Sequence, residues 1–194
     1  MLVQPVGPDG FDPALFDRIA VESGQGRALI LSTDLETGRT REGAWEGQFH
    51  NRYDPPRRVL IVGAVQIAQS LGALARAIGV TPVIIDPRGR FLTEERFPGI
   101  ERDDRWPDEA IAARSPGEST AVVTLSHDIK IDDPALAAAL RAPTGYIAAL
   151  GSRRSHAARL DRLAAMGFSP DDLARIDGPA GLDIGAVGAA EIAL

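Results

Sequence analysis

The sequence contains no cysteine. Disulfide bonds, cysteine-ligated zinc, iron–sulfur clusters and thiol nucleophiles are therefore excluded from its chemistry. Lysine is almost as scarce. The sequence has a single lysine, Lys130, and the other Lys and Arg residues of its 21 are all arginines. Schiff-base chemistry is thus excluded everywhere except at that position.

Long apolar runs are also missing. No stretch approaches the ~18 consecutive apolar residues of a membrane helix, and residues 1–12 carry neither the basic leader nor the apolar segment of a signal peptide. We therefore expect a cytoplasmic protein that does not contact a membrane. The formal net charge of −6 removes long-range attraction to nucleic acid, so no nucleic-acid partner is expected.

The composition is that of a folded chain. Of the 194 residues, 44% are hydrophobic and 25% are charged, which is typical of globular proteins, and the length corresponds to one domain with or without a small appendage. Pro55 and Pro56 mark a change of pattern, since this pair interrupts both helices and central strands. Residues 1–55 are predicted to form a small N-terminal α+β appendage with antiparallel strands, too small to fold alone.

The region 56–194 alternates predicted strands and helices. Its strands are short apolar runs, as expected for parallel strands that are buried on both faces. The predicted strands span 59–62, 82–86, 120–125 and 146–150, and the predicted helices span 65–78, 107–114, 133–141 and 152–166. This alternation indicates an α/β fold with a Rossmann-like, doubly wound parallel sheet.

Polar residues or glycines follow each of the four predicted strands of this region. In doubly wound sheets, ligands bind beyond the carboxyl ends of the strands, although strands also end in polar turns for purely structural reasons. The candidate cofactor-binding residues at these ends are Gly63, Ala64, Val65, Gln66, Asp86, His127, Asp128, Gly151, Ser152, Arg153 and Arg154.

The first of these turns matches a dinucleotide fingerprint only in part. The motif G-x-G-x-x-G uses its second glycine to let the backbone approach a pyrophosphate. Val65 occupies that position, and its branched side chain resists positive φ. Asp86 lies where an acid would bind a ribose, about 20 residues further on. Binding of NAD(P) or FAD is therefore a weakened hypothesis, and His127 is the only candidate proton donor for a nicotinamide-dependent oxidoreductase.

The turn from Gly151 to Arg154 predicts an anion site. Ser152 is placed to cap the following helix, so that Arg153 and Arg154 fall in the first helical turn, where backbone N–H groups and guanidinium groups together bind phosphate or carboxylate. In the alternative interpretation these arginines point away and pair with Asp128, Asp132 or Asp133.

The run Ser126-His127-Asp128 contains the residue types of a catalytic triad. Neighbouring strand residues point to opposite faces, so the three cannot form one relay. His127, Asp128 and Asp132 are suitable ligands for a hard metal, but two carboxylates and one imidazole do not suffice to predict a metal site. The structural interpretation is a polar loop in which an aspartate caps the next helix. His156 is interpreted as a helix-surface residue.

Several stretches of the region 56–194 together carry a family resemblance. In chain order they read PPRRVLIVGA, AVVTLSHDIKIDDPAL, YIAALGSRRSHAARLDRLAAMGF and GPAGLDIGA. They resemble the C-terminal Rossmann-like domain of the XdhC/CoxI family, the accessory proteins of xanthine dehydrogenase, carbon monoxide dehydrogenase and related molybdenum hydroxylases. The resemblance implies that the protein binds molybdenum cofactor (molybdopterin), a pterin that carries a phosphate, and helps to insert it into a molybdenum hydroxylase client. It also implies a homodimer.

The sequence departs from the family at two points. The family's first turn usually reads G-A-G-H, whereas Val65 and Gln66 replace the second glycine and the histidine here. Full-length members also carry a separate N-terminal domain with a Gly-Gly-Cys-type motif, so we expect either a partner protein that supplies that domain or a diverged paralogue. The favoured hypothesis is a cofactor-binding chaperone that is not an enzyme. The alternatives are an NAD(P)-dependent oxidoreductase and a degenerate Rossmann scaffold that binds only protein partners.

Overall fold

The computed structural model describes residues 3–7 and 10–194. The chain separates into two compact units, residues 1–56 and 57–194. Within the described ranges, no helix is both long enough and apolar enough to cross a membrane.

The first unit is a helix with a three-stranded antiparallel sheet. The helix is α1 (Ala14–Gly24), and the strands are β1 (Leu29–Thr33), β2 (Thr40–Glu42) and β3 (Phe49–Tyr53), in the order β2-β1-β3. The turn between β1 and β2 forms because the Asp34 carboxylate accepts the backbone N–H groups of Glu36 and Thr37, both at 2.9 Å. The core of the unit is small and consists of Phe11, Leu15, Leu29 and Leu31.

The second unit is built on a six-stranded parallel sheet in the order β6-β5-β4-β7-β8-β9. Its strands are β4 (Arg58–Val62), β5 (Thr81–Ile85), β6 (Glu101–Asp103), β7 (Thr120–Thr124), β8 (Tyr146–Ala149) and β9 (Ile176–Asp177). Its helices are α2 (Gln66–Ala77), α3 (Pro107–Ala112), α4 (Ile129–Leu140), α5 (Arg153–Ala165), α6 (Pro170–Leu173) and α7 (Ala189–Ala193), with a 3-10 turn at Gly89–Phe91. The predicted Rossmann-like fold is confirmed.

The sheet is buried on both faces because the middle residues of its central strands are apolar. In β4, Leu60 and Val62 belong to the core on one face of the sheet, whereas Val59 and Ile61 belong to the core on the other. The helix after β4 packs on one face of the sheet and the helix after β7 packs on the other. In doubly wound sheets this is the position at which a ligand-binding crevice is expected, at the carboxyl edge of the sheet.

Two edge strands were not predicted. β6 and β9 are three and two residues long and carry charged side chains, so neither has the apolar run by which the central strands are identified.

Helix α4 begins four residues before its predicted start at Asp133. Pro134 suggested a first turn there, but the N-cap is Asp128, whose Oδ1 accepts the Lys130 N–H at 2.9 Å. Pro134 lies inside the helix, where its missing N–H removes one backbone hydrogen bond. The helix persists because most of its residues, including Ile131 and Leu136, are buried against the sheet.

Candidate functional site

All of the predicted site residues lie at the carboxyl edge of the parallel sheet. They follow β5, β4, β7 and β8, which are four consecutive strands of the sheet. The turn after β4 and the turn after β7 lie against each other. A Cβ atom added to Gly63 would lie 2.8 Å from the backbone nitrogen of Ser126, and Gly63 has a φ of +107°. Glycine is therefore required at position 63 for packing as well as for conformation.

The turn after β4 is held by charged residues that follow β5. The Asp86 carboxylate accepts the Ala64 N–H at 2.7 Å, and Arg96 Nη2 donates to the Ala64 carbonyl at 2.7 Å. Val65 is extended, with φ −91° and ψ 175°, and it precedes the exposed first helical residue, Gln66. Val65 thus adopts no strained conformation, and its N–H donates to the Gly63 carbonyl at 2.9 Å.

Asp86 does not present a free carboxylate to a ribose. Its side chain is fully buried, and Arg88 binds both of its oxygens, through Nε at 2.9 Å and Nη2 at 2.8 Å. Burial alone would raise the pKa of Asp86, but the Arg88 guanidinium and the N–H groups of Ala64 and Arg88 bring it below its ordinary value. This carboxylate is therefore charged, paired and already saturated with donors.

The polar loop after β7 is organised around Ser126. Its hydroxyl donates to Asp132 Oδ1 at 2.6 Å and accepts the Asp128 N–H at 3.1 Å. Because Ser126 pairs with Asp132 and Asp128 caps α4, these residues do not form a triad with His127. His127 is exposed and has a φ of +59°, which is uncommon for a residue other than glycine. In the described part of the chain, no group of three or more His, Asp or Glu residues is arranged to hold a metal ion.

The charged groups of the separate loops lie close enough to influence one another. Asp128 and Asp132 both act on the pKa of Arg88, from the loop after β5. Burial raises the pKa of Asp132, although the Ser126 hydrogen bond and the positive charge of Arg159 oppose this shift. The loop after β5, the loop after β7 and helix α5 therefore influence one another electrostatically.

The N-terminus of α5 confirms the predicted cap. Ser152 accepts the Ser155 N–H at 3.1 Å, and the Ser155 hydroxyl accepts the Ser152 N–H at 2.8 Å. Arg153 and Arg154 are exposed, and neither takes part in an ion pair within residues 3–7 and 10–194. The alternative in which they pair with nearby aspartates is wrong, since Asp133 instead pairs with Arg162 at 2.5 Å.

Sequence reasoning missed Arg159, which lies on α5 behind the Gly151 turn. Only 4% of its surface is exposed, and its Nη2 lies 3.7 Å from the position that a Cβ atom of Gly151 would occupy. His156 is not a free surface residue either. Its ring is half-buried against Gly178, where a Cβ atom would lie 2.1 Å from His156 Nδ1.

A separate cavity of about 590 Å³ lies at one end of the second unit. The glycine-bracketed segment 181–185 forms one of its walls, and Tyr146, Leu150 and Asp177 contribute to another. The Tyr146 hydroxyl donates to Asp177 at 2.6 Å. Burial and, to a smaller extent, this hydrogen bond raise the pKa of Tyr146 to about 12.

Comparison with known proteins identifies the family. The model of the XdhC Rossmann domain matches residues 59–194. The chain belongs to this family. The match spans the parallel sheet from the second residue of β4 onward and every candidate site residue, and it confirms the resemblance found in the sequence.

Two proteins similar to this chain extend the comparison. The chain is 32% identical over 159 residues to the molybdenum cofactor insertion chaperone PaoD of Escherichia coli (strain K12), an alignment that covers 81% of this chain and 42% of PaoD. It thus spans less than half of that relative. A crystal structure described as a xanthine dehydrogenase from Bacillus halodurans superposes with a TM-score of 0.71 at 22% identity, over 93% of this chain and 63% of that one. This likeness shows a shared fold.

Within the XdhC Rossmann domain, one signal in the sequence could have revealed Arg159. It follows the N-cap Ser152 by seven residues, which is two helical turns, so both lie on the same side of α5. The pattern of apolar residues could not reveal it, because an arginine on an amphipathic helix is normally read as exposed.

Proposed function

We propose that this protein is an accessory protein that binds molybdenum cofactor and assists its insertion into a molybdenum hydroxylase. The observation that carries the proposal is the pair of exposed, unpaired arginines, Arg153 and Arg154, in the first turn of α5. Its context is a chain of the XdhC Rossmann domain family with 32% identity to a chaperone of this kind. The cofactor is cargo here, and its molybdenum centre would supply its chemistry in the client enzyme.

The residues of this turn fit a phosphate group. The first N–H groups of a helix have no partner within the helix, and the positive end of the helix dipole adds to their attraction for an anion. Two cations in that turn oppose the dipole at a cost of a few tenths to about 1 kcal/mol each, a cost that an anion bound there would offset. Ser152, Arg153 and Arg154 would hold the phosphate, and Gly63 and Ala64 would form the floor of the crevice.

An oxidoreductase that uses a nicotinamide cofactor is less well supported. Asp86, the residue that would bind the ribose, is fully buried and saturated by Arg88 and Ala64. A dinucleotide bound in the usual manner would have to displace that arginine and expose a buried carboxylate.

The proposal is tested with the double variant Arg153→Ala, Arg154→Ala. Removal of two charge-assisted contacts is expected to weaken binding of purified molybdenum cofactor by about 100-fold, or roughly 3 kcal/mol. Binding would be followed by the fluorescence of the oxidised pterin. Thermal unfolding would change little, because both side chains are exposed and unpaired.

The control is the variant Arg141→Ala, which removes an exposed arginine from the opposite edge of the sheet, where α4 ends. It is expected to bind the cofactor as the unaltered protein does. Equal cofactor affinity in the double variant and the control would refute the assignment of the site. If the unaltered protein and both variants fail to bind the cofactor but still bind a client enzyme, the scaffold alternative is favoured.

A further inference from the structure

Arg159 is a buried cation that is attracted by the buried carboxyl groups of Asp132 and Asp133 but forms an ion pair with neither. Its Nη2 donates to the Leu150 carbonyl at 3.0 Å, and its Nη1 lies 3.5 Å from His156 Nδ1. Its Nε is buried and has no hydrogen-bond acceptor. None of the ion pairs among residues 3–7 and 10–194 includes it.

This arrangement is costly in the folded protein. Arginine is almost never fully buried unless it is paired, and a carbonyl group and a neutral imidazole bring no net negative charge. Asp133 is bound by Arg162 and Asp132 accepts the Ser126 hydroxyl, so neither carboxyl group forms an ion pair with Arg159. Arginine remains protonated in proteins, so the positive charge stays in place.

The buried guanidinium lies directly behind the Gly151 turn. Gly151 has a φ of +147°, and a Cβ atom there would lie 2.6 Å from Ser155 Oγ and 3.7 Å from Arg159 Nη2. The glycine therefore lets the turn pack against the Ser155 hydroxyl and brings its backbone close to the buried cation.

We propose that Arg159 is the inner cation of an oxyanion site at the Gly151 turn, and that this site takes a phosphate monoester. The first turn of α5, with Arg153 and Arg154, holds the phosphate from outside, and Arg159 supplies the charge from within. The inference deepens the proposed function and rests on it for the identity of the cargo, because it assigns the phosphate of the pterin to this turn. A free inorganic phosphate shares the same chemistry.

The test uses Arg159→Met, which keeps the length of the side chain and removes its charge. Thermal unfolding of the whole protein is measured with inorganic phosphate and with acetate at equal ionic strength. Phosphate is expected to raise the unfolding midpoint of the unaltered protein and of the control Arg141→Met, since a ligand that binds only the folded state stabilises it. In Arg159→Met, phosphate affinity is expected to fall about ten- to 100-fold, and the protection by phosphate is expected to fall with it.

A structural role for Arg159 would give the opposite pattern. A lowered midpoint in Arg159→Met together with undiminished protection by phosphate would overturn the proposal, as would the absence of phosphate protection in the unaltered protein. If Arg159→Met does not fold, Arg159→Lys is used instead, because it retains the charge but not the planar guanidinium group. Phosphate binding, monitored through the phosphorus NMR resonance, is expected to weaken in this variant without being lost. Unchanged binding in Arg159→Lys would count against the proposal.

A further arm separates this inference from the function on which it rests. The cofactor and the same cofactor after phosphatase treatment are compared in their binding to the unaltered protein and to Arg159→Met. Weaker binding of the dephosphorylated form, to the unaltered protein only, supports the assignment of the pterin phosphate. If inorganic phosphate depends on Arg159 while neither form of the cofactor binds, the oxyanion site stands and the proposed cargo is wrong.

Discussion

Asp86 and Asp132 are two buried carboxyl groups at one edge of a sheet that respond to pH in opposite directions. The pKa of Asp86 is lowered, so its contribution to stability is present above the pKa of an unfolded aspartate, about 3.9, and is lost as the pH falls through the folded-state value. The pKa of Asp132 is raised. The folded chain therefore holds a proton there that the unfolded chain has released, and stability falls as the pH rises from about 3.9 to the folded-state pKa.

The variant Asp132→Asn tests the direction of the pH dependence that Asp132 gives to stability. Asparagine is neutral at every pH and its carbonyl can still accept the Ser126 hydroxyl, so the variant is expected to unfold at a higher urea concentration than the unaltered protein at pH 7. The difference in unfolding urea concentration, or gap, between the two proteins should shrink as the pH is lowered towards 4. Asp104→Asn, at an exposed position, is expected to show no such gap. A gap that widened on acidification would contradict the raised pKa.

The residues of the site differ in how well the sequence predicts them. Ser152 was identified correctly as a cap, because capping depends on residues three positions apart. Arg159 and Asp132 were not identified as buried charges, because their burial depends on elements distant in the chain, such as the segment around Gly178 that covers α5. The saturation of Asp86 by Arg88 was missed for a similar reason, since the spacing that matches a ribose-binding acid does not show which donor occupies it.

Among the elements, the loop after β5 fixes the turn between β4 and α2. Asp86 and Arg96 bind the N–H and the carbonyl of the same residue, Ala64. The variant Asp86→Ala leaves the buried Ala64 N–H without an acceptor and Arg88 without its partner, so it is expected to reduce the free energy of unfolding by about 3 kcal/mol.

Urea unfolding measures this loss, and Asp104→Ala is the matched control, because it removes an exposed carboxylate from the loop after β6 and should change stability by less than about 0.5 kcal/mol. A loss of that small size in Asp86→Ala would show that the turn is held by its packing, through Gly63 and Ser126, and not by these hydrogen bonds.

The elements that the sequence predicts well are those with strong periodic patterns. Helices α2 and α5 and the four central strands lie within a few residues of their predicted limits. The sequence does not indicate β6 and β9, because edge strands need little apolar character. It places the start of α4 too late, because Pro134 is typical of a first helical turn. In each case, pairing or burial against the sheet decided the outcome, and the local sequence does not contain that information.

For the molecule as a whole, we propose that the two units differ in their ability to fold independently. Residues 57–194 form a sheet with a core on each face, whereas the first unit buries only four apolar side chains in its cluster, counted over its described residues. Expressed alone, residues 57–194 are expected to unfold cooperatively on heating, and residues 1–56 are expected to show no cooperative transition.

Circular dichroism during thermal unfolding distinguishes the two fragments. The intact chain serves as the reference, because the fragment 57–194 should reproduce most of its loss of helical signal. A cooperative transition in residues 1–56 alone would show that the small cluster suffices, and an unfolded fragment 57–194 would show that the Rossmann unit needs the rest of the chain.

The exposed residue that follows the first position of α4 is Lys130, and no other lysine exists in the chain. Among the side chains, amine-reactive dyes and crosslinkers therefore have a single target, and it lies two residues from the aspartate that caps α4, beside the crevice. A fluorophore attached there would lie next to the proposed site and would be expected to change its emission when a ligand binds, and a crosslinker on Lys130 would join a bound macromolecule to this edge of the sheet.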